Sequence, residues 1–202
     1  MKLYLTPGAC SMAVDIALHE AGIPFEAERV DLTTRKTASG EDFLQINPKG
    51  YVPALRLDDG SLLTEAGLLL QYVADLKPGA GLAPAPGTMD RYRLMEWLAF
   101  LSTEVHKGFG PLWNPKVADD VRKETVARLG KRFDLLAATL AERPFLMGDR
   151  FTVADAYLFT LLGWTDVHRI DLTPWPALQA YRGRIAARPA VQATLKDEGL
   201  VK

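Results

Sequence analysis

The chain has 202 residues, enough for one large domain or two small ones with a buried core. Its 24 Lys and Arg residues nearly balance its 25 Asp and Glu residues, so overall charge does not favour a nucleic acid or an anionic membrane as partner. A single cysteine excludes an intrachain disulfide, and no stretch has the apolar length of a signal peptide or a membrane span. We therefore expect a soluble cytoplasmic protein.

The first predicted strand, at about residues 2–5, ends at Pro7-Gly8, and the only cysteine follows shortly after. This residue, Cys10, directly precedes an amphipathic helical pattern over residues 11–21. Free N–H groups and the helix dipole at a helix N-terminus favour a thiolate, so Cys10 is a candidate nucleophile. The alternative is that Cys10 is a small buried hydrophobic residue.

Strand and helix patterns alternate through the rest of the first eighty residues. They predict a second strand at 25–30, a short helix at 41–46, a hairpin at 52–63 and a helix from 64 to about 77. The resulting α/β order, βαβαββα, is similar to a thioredoxin-like domain, in which helices cover both faces of a small mixed sheet.

A segment rich in Pro, Gly and Ala separates this region from the rest of the chain. We predict a linker at residues 80–87, between a thioredoxin-like domain of residues 1–79 and an all-α helical domain of residues 88–202. The predicted helices of the second domain run from near Thr88 towards Phe109, over 118–141, from near Val153, and near 175–187 and 189–197. Thr152 and Asp155 form a capping box, which we assign to folding.

Three features of the first domain are expected at one edge of such a sheet: Cys10, Pro53 at a strand start, and Glu65-Ala66 at a helix opening. A cis bond before Pro53 would turn the backbone of Val52 outward, where it can pair with an extended peptide. The N–H groups at the helix opening suit a carboxylate, and the Glu65 side chain suits an ammonium group. Glutathione has the required amino-acid end, peptide middle and thiol.

Each feature also has a purely structural explanation. Pro53 can blunt a strand edge, and Thr64 with Glu65 can simply cap a helix. The long helix of the second domain has a small polar face made by Ala99, Ser102, Thr103 and His106. That face either lies in solvent or forms one wall of a cleft, with His106 able to donate a hydrogen bond or receive a proton.

Five segments of the chain carry recognisable motifs, namely residues 4–11, 47–55, 63–66, 106–109 and 149–157. Together they resemble bacterial glutathione transferases of the cysteine-containing beta class. The resemblance covers essentially the whole chain, and its specificity lies in the order and spacing of the segments. It implies an enzyme that conjugates glutathione, as co-substrate and without a metal, to hydrophobic electrophiles in detoxification or catabolism. It also implies a homodimer.

The resemblance further implies roles for individual residues. The catalytic residues near the glutathione sulfur would be Cys10 and His106. Glutathione would be bound by Arg35, Lys36, Tyr51, Val52, Pro53, Glu65, Ala66 and Lys107. The electrophile pocket would be lined by Ala9, Ser102, Phe109, Trp164 and His168, although Trp164 is equally suited to a hydrophobic core.

Two residues depart from the family pattern. Arg35 stands where the family often has a lysine for the glycyl carboxylate, and a guanidinium prefers a forked pairing. Without the resemblance, Arg35 and Lys36 would be an ordinary solvated loop pair. Ala99 stands where the family commonly has asparagine, so a hydrogen bond to the ligand or to Cys10 is either missing or supplied by another group.

Two other functions stay open at this point. Because the chain lacks a Cys-x-x-Cys pair, dithiol exchange is excluded. A mixed disulfide on Cys10 would still allow glutathione-dependent thiol-disulfide reduction or reductive dehalogenation. The third possibility is a non-catalytic protein that binds hydrophobic ligands.

Overall fold

The computed structural model describes residues 1–201, which divide into two compact units. One unit combines Met1–Ala83 with the segment that begins at Ala187, and the other is Pro84–Ala186. The first boundary lies inside the predicted linker. No helix within residues 1–201 carries an apolar run long enough to cross a membrane.

The first unit contains a five-stranded mixed sheet. Its strands are β1 (Lys2–Leu5), β2 (Glu26–Asp31), β3 (Lys36–Thr37), β4 (Ala54–Arg56) and β5 (Leu62–Thr64). They lie in the order β3-β2-β1-β4-β5, with β2 parallel to β1 and every other neighbouring pair antiparallel. The sequence predicted a polar loop where β3 lies, because a two-residue strand is too short to show an alternating pattern.

Three helices pack on this sheet as the predicted topology requires. They are α1 (Ser11–Ala21), α2 (Phe43–Ile46) and α3 (Ala66–Leu76). Helix α1 ends at Gly22, which has a φ of 59° and donates its N–H to the carbonyl of His19 at 3.0 Å. The ring of Phe43 in α2 contacts the ring of Tyr4 in β1, with centroids 5.8 Å apart. The thioredoxin-like fold of this part of the chain is thereby confirmed.

The second unit is helical, as predicted. Its α-helices are α4 (Met89–Phe100), α5 (Asp119–Glu142), α6 (Val153–Val167) and α7 (Pro176–Ala186). The predicted long helix from Thr88 towards Phe109 is not a uniform α-helix. It becomes π-helical over Leu101–His106 and then 3₁₀-helical over Lys107–Trp113, a stretch that contains two glycines and a proline. The spacing of apolar residues in this helix predicts a buried stripe that includes Trp97, but the side chain of Trp97 is only half-buried.

The predicted capping box at the start of α6 is confirmed. The carboxylate of Asp155 accepts hydrogen bonds from the backbone N–H of Thr152 at 2.8 Å and of Leu146 at 2.9 Å. It also accepts one from the hydroxyl of Tyr181 at 3.0 Å. Burial raises the pKa of Asp155, because ionisation is costly away from water. This carboxylate therefore organises the loop before α6 as well as the helix start.

The last helix, α8 (Pro189–Asp197), packs against α1 and belongs to the first unit. The sequence analysis placed this segment in the helical domain of residues 88–202, whereas the structure groups it with the first unit. The physical reason is a buried polar contact, in which Thr194 donates its hydroxyl proton to the Asp15 carboxylate at 2.8 Å. Arg188 adds a two-pronged ion pair with Glu20, at 2.5 and 2.9 Å.

Candidate active site

Cys10 lies at the N-terminus of α1, where the sequence placed it. Its Sγ donates a hydrogen bond to the carbonyl oxygen of Val52 at 3.2 Å, and the side chain is partly exposed. Cys10 is therefore not the fully buried hydrophobic residue of the alternative explanation. The structure joins two predicted site residues from segments that are distant in sequence.

The loop before Cys10 is held by residues from three parts of the chain. The hydroxyl of Thr6 donates to the carbonyl of Val30 at 2.7 Å, and the N–H of Ala9 donates to the carbonyl of Thr6 at 3.0 Å. The N–H of Gly8 donates to the carboxylate of Glu198 at 2.6 Å. Gly8 has a φ of 71°, a left-handed conformation that favours glycine.

Glu198 is only 4% exposed, and burial raises the pKa of its carboxyl to about 7. The Gly8 N–H acts in the opposite direction by stabilising the carboxylate, while the negative charge of Asp15 adds to the effect of burial. The sequence analysis did not identify Glu198, which lies 190 residues from Gly8. A glutamate near the end of a predicted helix carries no signal for such a contact.

Pro53 follows a cis peptide bond and precedes β4. Because β4 pairs with both β1 and β5, Pro53 does not blunt a sheet edge. Val52 is buried, whereas the side chain of Tyr51 is 68% exposed. The buried Asn47 donates its amide to the carbonyl of Tyr51 at 2.8 Å and accepts the N–H of Lys49 at 3.2 Å. Asn47 thus shapes the turn that leads to Val52.

Glu65 immediately precedes α3 and has a φ of 71°, in the left-handed region that non-glycine residues rarely adopt. Its side chain makes no capping hydrogen bond to the helix. Its carboxylate instead accepts a hydrogen bond from the ammonium group of Lys49 at 3.0 Å, and Lys49 also donates to the hydroxyl of Thr64 at 2.9 Å. Capping alone therefore does not explain Thr64 and Glu65. Ala66 is the buried first residue of α3.

Arg35 and Lys36 have different surroundings. Arg35 has a φ of 59°, and its guanidinium donates to the carbonyl of Gly50 in the turn before Val52. Its backbone carbonyl accepts the N–H of Phe43 at 2.8 Å. Lys36 is exposed on β3. The description of an ordinary solvated pair therefore fits Lys36 but not Arg35.

In the helical unit, His106 ends the π-helical segment and is half-buried. Its Nδ1 lies 2.7 Å from the hydroxyl oxygen of Tyr157 in α6. The indole ring of Trp164 meets the imidazole edge-on, with ring centroids 4.8 Å apart. Ser102, one turn earlier, is half-buried, and Lys107 is exposed. The predicted polar face is thus partly accessible at Ser102 and His106.

Three residues predicted for the electrophile pocket lie in an aromatic cluster of this unit. The exposed fractions of Phe109, Trp164 and His168 are 0%, 4% and 7%, respectively. Phe109 stacks on His168 with ring centroids 5.7 Å apart, and Trp113 covers the cluster with about half of its surface exposed. Burial lowers the pKa of His168, and the positive charge of Arg122 acts in the same direction.

Trp164 is buried in the helical unit, as the core alternative expected, and its place in an electrophile pocket stays a prediction. The pocket itself, including Ala9 and Ser102, stays a prediction. Trp113 was not predicted as a site residue, although an aromatic residue shortly after a predicted site segment is a usable signal. Asn47 and Lys49 could also have been found, because Asn-Pro-Lys-Gly is a strong turn pattern beside Val52.

Two family models match the chain: the N-terminal domain of glutathione S-transferase over residues 8–76, and its C-terminal domain over residues 100–189. Glutathione S-transferase GstA of Escherichia coli O157:H7 is 42% identical, in a match that covers 99% of this chain and 100% of that protein. A sphingomonad glutathione S-transferase solved in complex with glutathione has a TM-score of 0.96 and 51% identity, with 100% of each chain covered.

A second solved structure, the beta-class glutathione S-transferase of Sphingomonas chungbukensis, has a TM-score of 0.96 and 49% identity. This match also covers 100% of each chain. These matches confirm the resemblance found in the sequence motifs. The chain belongs to the glutathione S-transferase family and is similar to its bacterial beta class.

Proposed function

We propose that the protein conjugates the thiol of glutathione to electrophilic small molecules. The observation that carries the proposal is the contact between Cys10 and Val52, since it places a thiol at a helix N-terminus beside a backbone segment suited to a peptide. Membership of the glutathione S-transferase family supports the same conclusion, because a similar solved structure is a complex with glutathione.

Glutathione would be held through its charged ends and its peptide backbone. The ammonium group of the ligand replaces that of Lys49 at the Glu65 carboxylate, and the first N–H groups of α3, from Ala66, take the neighbouring carboxylate. The cysteinyl backbone pairs with Val52, and Arg35 attracts the glycyl carboxylate. Lys36, Tyr51, Pro53 and Lys107 complete the proposed glutathione site.

The reaction needs a thiolate sulfur and an accessible electrophilic carbon. The N-terminus of α1 stabilises negative charge near Cys10, and His106 stabilises the thiolate or accepts the thiol proton. The thiolate attacks the carbon atom, a carbon–sulfur bond forms, and the leaving group departs with its electron pair. Ala9, Ser102, Phe109, Trp164 and His168 would supply the apolar surroundings that exclude water.

The proposal includes a homodimer in the cytoplasm, where glutathione is kept reduced. Apolar side chains exposed on two helices support an interface with a second copy. On α3, Leu68 and Leu76 are 51% and 44% exposed. On α4, Met89 and Tyr92 are 68% and 57% exposed. Large apolar side chains that are exposed at a surface are typical of protein interfaces.

A second activity is favoured by the partial exposure of Cys10. Its thiol could form a mixed disulfide with glutathione and so support the reduction of small disulfides by a second glutathione molecule. In that reaction the Cys10 thiolate attacks one sulfur of the small disulfide, and the other sulfur leaves as a thiolate. One glutathione thiolate then displaces the remaining substrate sulfur to give the mixed disulfide on Cys10, and a second glutathione thiolate releases Cys10 as glutathione disulfide forms.

The test compares the wild-type protein with Cys10→Ala and Cys10→Ser in two assays, conjugation of an aryl halide and reduction of hydroxyethyl disulfide. We expect the wild type to conjugate glutathione, and Cys10→Ala to lower kcat by about tenfold because the contact to the substrate sulfur is lost. Cys10→Ser is the matched control, since its hydroxyl can still donate to Val52.

Unchanged conjugation in both variants, with no mixed disulfide on the wild type by mass spectrometry, would remove Cys10 from the mechanism. A wild-type protein that reduces the disulfide but does not conjugate the halide would make the second activity the function.

A further inference from the structure

The last residues of the first unit lie against the loop that precedes Cys10. Glu198 directly follows α8, and its buried Oε2 accepts the N–H of Gly8 at 2.6 Å. Its Oε1 has no hydrogen-bond partner within residues 1–201, so the contact to Gly8 satisfies only one of the two carboxylate oxygens. A Cβ built on Gly8 would lie 3.7 Å from the side chain of Leu200, so Leu200 packs beside the same residue. Neither Glu198 nor Leu200 belongs to the predicted glutathione site.

The segment that carries Glu198 is itself fixed to the first unit. Helix α8 packs against α1, and the guanidinium of Arg29 in β2 donates to the backbone carbonyl of Asp197 at 2.9 Å. The N–H of Glu198 donates to the carbonyl of Thr194 at 2.9 Å and continues the hydrogen bonding of α8. The carboxylate therefore approaches Gly8 from a fixed base rather than from a loose chain end.

The loop between Gly8 and Cys10 is a tight turn. The N–H of Ala9 donates to the carbonyl of Thr6 at 3.0 Å, and the N–H of Thr6 donates to the buried hydroxyl of Ser11 at 3.1 Å. Gly8 and Cys10 are only two positions apart within this turn. A contact that holds the N–H of Gly8 therefore also restricts where the Cys10 side chain lies.

Two influences act on the Cys10 thiol in opposite directions. The N-terminus of α1 favours a thiolate. The hydrogen bond from Sγ to the carbonyl of Val52, at 3.2 Å, favours the protonated thiol, because only the protonated form can donate. The reactivity of the thiol thus depends on whether the loop holds Sγ beside this carbonyl.

We propose that Glu198 is a positioning residue for Cys10, which fixes the loop through the Gly8 N–H and so holds the Cys10 thiol against the Val52 carbonyl. The inference rests on the proposed place of Cys10 beside the glutathione sulfur, and deepens it with a residue that restrains this thiol. Ionisation of Glu198 strengthens the restraint, because the Gly8 N–H stabilises the charged carboxylate more than the neutral carboxyl.

The charged groups around Glu198 come from three elements. Burial is the largest cause of its raised pKa, the negative charge of Asp15 on α1 acts in the same direction, and the positive charge of Arg29 on β2 opposes them. His19 on α1 lies 2.8 Å from the Asp15 carboxylate and 3.6 Å from that of Asp197 on α8. The hydrogen bond to Asp15 raises the pKa of His19, so any pH effect must be assigned with a variant that keeps His19.

Alkylation by iodoacetamide measures the restraint directly, because Cys10 is the only cysteine and the reagent is uncharged. Glu198→Ala removes the acceptor of the Gly8 N–H, so we expect Cys10 to react about fivefold faster at about pH 8. The pH midpoint of the alkylation rate should also be lower in this variant. Glu198→Gln keeps an acceptor oxygen and should react less than about twofold faster than the wild type.

Glu20→Ala is the matched control for a loosened α8. The largely buried carboxylate of Glu20 on α1 pairs with Arg188 beside α8, rather than with the loop that carries Cys10. We expect this variant to lower the melting temperature and to keep the wild-type alkylation rate. Equal increases of the rate in Glu20→Ala and Glu198→Ala would show that Glu198 merely stabilises the fold. A rate for Glu198→Ala within about twofold of the wild type would also overturn the proposal.

Proton NMR of the Gly8 amide provides a readout that does not depend on whether Glu198→Ala folds. An amide proton bound to a carboxylate moves downfield as the carboxylate ionises, so the Gly8 signal should titrate with a midpoint at about pH 7. Glu198→Gln keeps His19 and should abolish this titration. A Gly8 signal that does not titrate, or that titrates equally in Glu198→Gln, would overturn the proposal. A wild-type protein with no conjugation activity would instead refute the proposed function, since neither alkylation nor the NMR signal requires turnover.

Discussion

Three carboxylates of this protein have different properties because their surroundings differ. Glu65 is exposed and paired with Lys49, so it can exchange that partner for the ammonium group of a ligand. Asp155 is fully buried, and donors from backbone and side chains surround it. Glu198 is buried, the positive charge of Arg29 acts on its carboxylate, and its Oε1 has no hydrogen-bond partner within residues 1–201. Glu65 is therefore suited to binding a ligand, and Asp155 is suited to stabilising the fold. Glu198 is suited to titrating near neutral pH.

The buried carboxyl of Glu198 should make the free energy of unfolding depend on pH. Its pKa in the folded protein is about 7, above the ordinary 4.5, so the folded state binds more protons than the unfolded state between these values. The free energy of unfolding should therefore fall as pH rises through this window, by on the order of 3 kcal/mol from this group. Glu198→Gln cannot ionise, and its amide oxygen can still accept from Gly8.

Urea unfolding of the wild type and Glu198→Gln at about pH 5 and about pH 8 measures this contribution. The variant should gain stability relative to the wild type as pH rises. Glu26→Gln, at an exposed glutamate paired with Lys2 at 2.8 Å, is the control. Identical pH slopes for wild type and Glu198→Gln would contradict the assignment.

Among the secondary-structure elements, the helices that the sequence predicted are those marked by nearby residues, such as an apolar face or a terminal glycine. Helix α1 has an apolar face and ends at Gly22, and α3 ends before Pro78, so both were predicted within one or two residues. The π-helical segment Leu101–His106 was not predicted, because it depends on how the helix packs rather than on residue spacing. The unit to which α8 belongs depends on the contact of Thr194 with Asp15, which are 179 residues apart.

The same distinction applies to the candidate site. Cys10 and Glu65 precede recognisable helices, and turn or strand signals surround Val52, so these positions follow from sequence pattern. The contacts of Glu198 with Gly8 and of Tyr157 with His106 join distant segments and leave no local pattern. Such contacts require tertiary structure.

The buried hydrogen bonds of Asp155 should stabilise the start of α6. Asp155→Ala would remove the acceptor of three buried donors, which are the N–H groups of Leu146 and Thr152 and the hydroxyl of Thr152, so we expect a loss on the order of 3 kcal/mol or more in unfolding free energy. The hydroxyl of Tyr181 can still donate to the backbone carbonyl of residue 155. The exposed Asp149 provides the control, Asp149→Ala, with a change below about 0.5 kcal/mol. Equal urea midpoints for the two variants would show that the Asp155 network does not stabilise α6.

At the scale of the whole molecule, a net charge of −1 provides no strong field to attract an anionic tripeptide. Recognition would therefore depend on local groups, and we propose that on the first unit these are Arg35, Glu65 and the N-terminus of α3. Two domain models of one family match the chain along most of its length. We therefore propose that the first unit binds glutathione by its charged ends and holds its sulfur beside Cys10.

Calorimetric titration of glutathione into the wild type, Glu65→Gln and the control Glu26→Gln measures whether this site binds the ligand. Both substitutions remove an exposed carboxylate paired with a lysine, but only Glu65 is placed at the ligand. We predict binding by the wild type at millimolar or lower concentrations, and a Kd about tenfold weaker for Glu65→Gln alone, equivalent to about 1.4 kcal/mol. Absence of glutathione binding to the wild type at millimolar concentrations, or equal affinities in all three proteins, would contradict the account.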